Sequence, residues 1–164
     1  MKAILITGGA SGIGRAIAQT FSAKGWRVGL AEVNERGMAE TAAMLAPERT
    51  TTHLLDVRDI DEWQQVLADF TAASGGNLDV LANNAGVADG GTFGQATIDA
   101  LDRVIDINFR GVVYGARAAY PYLKATPGSA LLNAASASAI YGSPGLSAYS
   151  ATKFGVRGFS DALR

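Results

Sequence analysis

The feature that most restricts what this chain can become is a regular alternation of short apolar runs with longer segments of helical period. "KAILIT" (2–7) precedes "GIGRAIAQTFSAKG" (12–25), where Ile13, Ile17 and Phe21 recur at i, i+4 and i+8 and predict one apolar helix face. The series continues with "WRVGLAE" (26–32), a helix through "ERGMAETAAML" (35–45), "THLLDV" (52–57), a helix through "IDEWQQVLADFTAAS" (60–74) and "LDVLANNAG" (78–86). A long helical segment at 97–126, the run "SALLNAA" (129–135) and a helix opening near Tyr149 complete it. Five apolar strands separated by helices require crossover connections, which are right-handed and cover both faces of a parallel sheet, so the pattern predicts a doubly wound α/β fold. No repeat, low-complexity tract or linker interrupts it, and residues 1–164 read as a single domain. Gly111, Gly115 and Pro121 predict a bend or an early end in the long helix.

Composition removes several function classes. The formal net charge is −1, from 14 basic and 15 acidic residues with no basic cluster, which disfavours nucleic acid as a partner. The absence of cysteine excludes disulfides, thiol catalysis and thiolate metal sites, and the single histidine, His53, has no evident partners for a metal. The N-terminal apolar run is too short for a signal-peptide core, and no segment is long enough to span a bilayer, so the expectation is a soluble, cytoplasmic protein without membrane contact. Twenty glycines exceed what a small core needs, and many close apolar runs, where they predict functional turns.

In an open sheet of this kind the ligand crevice lies outside the carboxyl ends of the strands, at the point where strand order reverses. Gly8 to Gly14 follow the first strand, Glu32 ends the second, Asp56 follows the third, Asn83 to Gly86 end the fourth, and Asn133 to Ser138 end the fifth. In "TGGASGIG", glycines permit a tight turn, close approach of backbone to a pyrophosphate and free helix N-terminal amides, although the spacing differs from G-x-G-x-x-G and a plain βα connection suits the loop alone. Glu32, eighteen residues past Gly14, can accept hydrogen bonds from ribose hydroxyls and would repel a 2′-phosphate, while a solvated loop glutamate is the plainer alternative. Tyr149 and Lys153, four residues apart, share one helix face, either as an ordinary surface pair or as an activated acid–base group.

T-G-x-x-x-G-x-G at Thr7 to Gly14, "NNAG" at Asn83 to Gly86, "DINFRG" around Asn108, Ser136 after "LLNAA" and Y-x-x-x-K at Tyr149 to Lys153 stand in one order, and together they resemble the short-chain dehydrogenase/reductase family. The resemblance covers nearly the whole chain and implies a Rossmann-like fold. It also implies hydride transfer between a nicotinamide cofactor and a small-molecule alcohol or carbonyl substrate. Ser136 is preferred to Ser138 because it precedes Tyr149 by thirteen residues, the family's spacing; the usual serine pair is reduced here to Ala135–Ser136.

By that resemblance Tyr149 is the proton donor or acceptor. A free phenol, with a pKa of about 10, is a poor relay at neutral pH, so Lys153 one turn on would favour the phenolate and could bond the nicotinamide ribose. Ser136 would hydrogen-bond the substrate oxygen, and Asn108 would hold a water leading from Lys153 to solvent. Gly8, Ser11, Gly12, Ile13 and Gly14 would hold the cofactor with Glu32, Asp56 and Val57 at its adenine end, Asn83, Ala85 and Gly86 beside the adenosine ribose, and Tyr149 and Lys153 at the nicotinamide. NAD is expected over NADP, since neither Ser11 nor Val33 offers a cation for a 2′-phosphate. A homodimer or homotetramer is implied through the long helix and the tyrosine-bearing helix. The family's later strands and substrate segment lie beyond "FSDALR", which predicts a chain cut after its fifth strand and a poor catalyst by itself; a non-catalytic NAD sensor is the alternative function.

Overall fold

The computed structural model describes residues 1–163. Strands β1 (Ala3–Thr7), β2 (Arg27–Glu32), β3 (Thr50–Leu54), β4 (Val80–Asn83) and β5 (Ala130–Asn133) form one sheet in the order β3-β2-β1-β4-β5. Every pairing is parallel. Between them run α1 (Gly12–Ala23), α2 (Glu35–Ala42), α3 (Ile60–Ala73), α4 (Ile98–Ile105) and α5 (Gly111–Ala125), with α6 (Ser147–Ala162) following β5. The chain is thus a Rossmann-like α/β sandwich.

β1 lies at the centre, buried over its whole length, and its alternate residues feed two cores. Ala3 and Leu5 join Trp63, Leu67 and Phe70 of α3 and Ala119 of α5 on one face; Ile4 and Ile6 join Ala18 of α1, Met38 of α2 and Val28 and Leu30 of β2 on the other. This period-two division explains why the central runs read as continuously apolar: both faces are covered. Thr7 closes β1 with a hydroxyl that donates to Ala82 O (3.4 Å) and accepts from the amides of Asn84 (3.0 Å) and Ala85 (3.0 Å), riveting β1 to the loop after β4.

Three expectations are corrected. Ile13 does not share the buried face of Ile17 and Phe21; it is 71% exposed. The third strand begins at Thr50, two residues before the apolar run. The β-branched threonines 50–52 suit an edge strand covered on few sides, while Leu55 and Val57 enter the core from the turn beyond it. The long helix neither breaks nor ends at Gly111, Gly115 or Pro121. Its irregularity is a π-helical stretch at Asp106–Arg110, where the Gly111 amide reaches back to Asp106 O, and Asn108 sits at its middle.

Gly115 lies where α5 presses on β4. A methyl there would come within 2.6 Å of the Trp63 ring and still nearer Asn83 Oδ1. Trp63 is fully buried and pinned by its indole N–H to Val57 O (3.0 Å), so it cannot give way. Replacing a helical glycine by alanine gains about 1 kcal/mol in propensity, whereas overpacking costs about 1–3 kcal/mol. Gly115→Ala is therefore expected to destabilise the fold by up to about 2 kcal/mol, read as a lower urea midpoint at unchanged m-value; a midpoint above wild type would show that α5 can lift off β4 without penalty.

Candidate active site

The loop after β1 and the loop after β4 diverge from adjacent strands and enclose a groove of about 560 Å³. It is walled by the glycine loop from Gly8 to Ile13, by Glu32, by Asp56 and Val57, and by Ala85 and Gly86. Gly8 has φ +70°, and a Cβ on it would lie 2.9 Å from Ala85 Cα, so a side chain here would drive the two loops apart. Gly12 has φ +51° and opens onto free space. Ser11, at the start of α1, places no side-chain cap on the helix, and the first turn carries no acid. Uncapped amides facing an open groove suit a pyrophosphate, and the exposed Ile13 supplies an apolar wall beside them.

Glu32 is held in place before any ligand arrives. One carboxylate oxygen accepts from the amides of Val33 (2.9 Å) and Asn34 (3.2 Å), the other from the Ala10 amide at 3.4 Å. Asp56 is gripped by the Arg58 guanidinium (2.5 Å), whose hydrogen bonds hold its carboxyl below the usual carboxylate range, and Arg58 itself lines the groove. Two of the expected cofactor residues stand behind the groove wall. Gly14 is buried in α1 beneath Gly8. Asn83 is also buried, its amide donating to Val112 O (3.2 Å) and Asn133 Oδ1 (2.9 Å), because a polar side chain on the inward face of a central strand must find partners inside. Its neighbour Asn84 lines the groove instead and bonds Thr7 O (3.0 Å).

The remaining residues converge where α6 crosses the π-helical stretch. Gly155 meets the Phe109 ring so closely that a Cβ would stand 3.1 Å from it, which fixes the two elements together. Asn108 is fully buried, accepting from Val87 N (2.8 Å) and donating to Val87 O (2.7 Å). Its side-chain amide therefore clamps the segment after β4 as if it were a strand neighbour, which its sequence position did not reveal. Lys153 is 5% exposed; its ammonium donates to Ala134 O (2.7 Å) and lies 5.7 Å from the Tyr149 ring centre. Gly86 joins this cluster to the groove: a Cβ there would be 3.2 Å from Asn108 Oδ1 and 3.7 Å from Lys153 Nζ.

Ser136 follows β5, two residues past the carbonyl that holds Lys153. Its Oγ accepts from Ser138 N (3.1 Å), which spends a lone pair and leaves the hydroxyl hydrogen free to donate elsewhere. The Ser143 amide donates to Ser150 Oγ (3.3 Å), tying the 137–146 loop to the first turn of α6 beside Tyr149. Among the described residues there is no group of three or more His, Cys, Asp or Glu fit for a metal, and no helix long and apolar enough to cross a membrane.

Burial lowers the Lys153 pKa from its ordinary 10.5, because desolvation disfavours the ammonium. Between that lowered value and 10.5 the unfolded chain binds more protons than the folded one, so stability rises with pH through this window. The wild-type protein should gain stability relative to Lys153→Met as pH climbs towards 10.5, measured by denaturation at a series of pH values. A difference that does not vary with pH would mean that the buried ammonium is not penalised.

Residues 2–164 match the family described as short chain dehydrogenase. SadH of Mycobacterium tuberculosis, designated an oxidoreductase, is 38% identical over 99% of this chain and 59% of its own length. The 2-dehydro-3-deoxy-L-rhamnonate dehydrogenase (NAD(+)) of a Sphingomonas strain is 36% identical over 99% of this chain and 64% of its own. A short chain dehydrogenase/reductase from Burkholderia phymatum, solved in complex with NAD, superimposes with a TM-score of 0.94 at 29% identity, covering 99% of this chain and 58% of that one. The chain spans about three-fifths of the length of these relatives. With the glycine loop, the Y-x-x-x-K helix and the parallel sheet all in the matched region, the chain belongs to the short-chain dehydrogenase/reductase family.

Proposed function

We propose that the chain carries the dinucleotide site and the proton-transfer group of an NAD-dependent dehydrogenase acting on a small secondary alcohol or its ketone. The observation that carries this reading is the shared position of Gly86, at once a wall of the groove and the neighbour of Asn108 Oδ1 and Lys153 Nζ. Bound in the groove, a nicotinamide cofactor supplies the hydride acceptor or donor. The chain's own residues supply the rest. Tyr149 takes the hydroxyl proton of the alcohol as the carbinol hydride departs, and returns it in the reverse direction. Lys153 stabilises the phenolate form by proximity of charge; its own partner, Ala134 O, keeps the ammonium aimed at the site. Ser136 donates its free hydroxyl hydrogen to the substrate oxygen. Asn108 holds Val87 and hence the path past Gly86, leaving one amide hydrogen and one lone pair for a water that leads from Lys153 to solvent.

Glu32 faces the groove with its carboxylate fixed by three backbone amides, which supports a preference for a free 2′-hydroxyl over a 2′-phosphate. Two cations line the groove, Arg58 and Arg103; Asp56 already neutralises Arg58, the one beside it. Exposed Ile105, Tyr120 and Phe154 on the α4–α5 segment and α6 offer apolar surface for self-association, in keeping with a homo-oligomer.

In a form of the protein with measurable turnover, Tyr149→Phe should abolish alcohol oxidation while changing NAD affinity less than about three-fold, because only the acid–base group is removed. Retained turnover would take the phenol out of the mechanism. Titration with both dinucleotides is expected to show tighter NAD binding, and Glu32→Ala should narrow the gap by about ten-fold, the order expected for a hydrogen bond to a charged group. Equal or tighter NADP binding by the wild type would refute the proposed preference.

A further inference from the structure

Arg15 directly follows the motif TGGASGIG, a cation beside a loop expected to meet phosphates, yet it does not line the groove. Its guanidinium turns behind the loop. One nitrogen donates to Ala10 O (2.6 Å) and lies 3.6 Å from Glu40, while Nε donates to Thr41 Oγ1 (2.9 Å). Thr41 is fully buried, and its hydroxyl lies 3.2 Å from the same Ala10 carbonyl and 3.1 Å from Gly37 O.

The other end of the Ala10 residue is also held, its amide directed at Glu32. Glu32 in turn accepts from the amide of Asn34, and Asn34 caps α2 through Gly37 N (3.0 Å). A Cβ on Gly37 would lie 2.9 Å from Ala10 Cβ, so the start of α2 rests directly on the loop. These contacts close a ring: Glu32, Asn34, the first turns of α2, Thr41, Arg15, Ala10 and back to Glu32. Members of a closed hydrogen-bond circuit constrain one another, and loosening any one of them loosens the others.

We infer that Arg15 and Thr41 are positioning residues that set the glycine loop for dinucleotide binding, and that the circuit couples the loop to Glu32 without either residue touching the ligand. The inference rests on the cofactor reading above and adds to it a pair of residues on the far side of the loop. Arg15 acts here through the fork of its guanidinium, which spans Ala10 and Thr41 together. Lysine carries the same charge on a single point-like nitrogen and does not reproduce that planar fork.

The test is calorimetric titration of the 164-residue chain with NAD, for wild type, Arg15→Lys, Thr41→Val, Glu32→Gln and the double variant Arg15→Lys/Glu32→Gln. Arg15→Lys and Thr41→Val should each weaken NAD binding roughly ten-fold, and the double variant should bind little worse than its weaker parent, since both substitutions open one circuit. Amide hydrogen exchange at Gly12 to Gly14 in the ligand-free protein should accelerate in Arg15→Lys while exchange in β1 stays unchanged, a pattern that general destabilisation would not give. Wild-type affinity in Arg15→Lys, or additive losses in the double variant, would overturn the inference alone. A wild-type chain that binds no NAD would overturn the cofactor reading and this inference together.

Discussion

The hydroxyl of Thr7 is the point on which the rest of the structure depends. It sits at the last residue of the central strand and engages Ala82 O, Asn84 N and Ala85 N, so the ends of β1 and β4 are fixed to each other where their loops part. Parallel pairing continues outward from this seam, with β2 and β3 on one side and β5 on the other. Because one loop turns towards α1 and the other towards α4, the separation itself makes the groove. The contact of Gly8 with Ala85 brings both walls close enough to serve one ligand. The strand ladder between β1 and β4 ends at Ile6 and Ala82, so beyond it the Thr7 hydroxyl ties the loop after β4 to the end of β1.

The second half, β4, β5 and α6, is held together through polar contacts that few apolar cores would tolerate. Asn83 on β4 donates to Asn133 on β5, Asn133 donates to Ser160 on α6 (2.9 Å), and Ser160 donates to Val156 O (2.7 Å). Each is satisfied by the next, apart from Asn83 Oδ1, which has no partner. Burying an unpaired carbonyl oxygen costs roughly 1–3 kcal/mol, and desolvating Lys153 adds a further cost. Such penalties gather where strands and helices must hold Tyr149, Lys153 and the groove in one geometry, and the apolar layers around Trp63 and Phe70 are large enough to sustain them. At the margin, β5 leaves Leu132 46% exposed, so this edge contributes less to the core than β1 or β4.

Much of this was legible in the sequence because it is written in local signals. The glycine spacing, the acidic end of the second strand and the Tyr149–Lys153 interval each depend on residues a few positions apart. What escaped depends on the third dimension. Ile13 reads as core by period but stands exposed on the groove wall. The π-helical stretch around Asn108 has no compositional mark, since glycine and proline nearby point to the wrong place. Of the two asparagines in "NNAG", strand alternation sends Asn83 inward and leaves Asn84 to the groove. The brace of Arg15 against Thr41 and Ala10 links residues that are distant in sequence, and no local signal marks it.

The proposed function requires the groove between the β1 and β4 loops to be the dinucleotide site and to be continuous with the Tyr149–Lys153 cluster. Its most direct test is an amide-resolved NMR titration of the uniformly ¹⁵N-labelled chain with NAD. The expected result is a set of shifts at Gly8 to Gly14, Glu32 to Asn34, Asp56 to Arg58 and Asn84 to Val87, extending to Tyr149 and Lys153. Shifts confined to the separate groove beside β5, around Arg117, Tyr120 and Leu131, or no shifts at all, would contradict it.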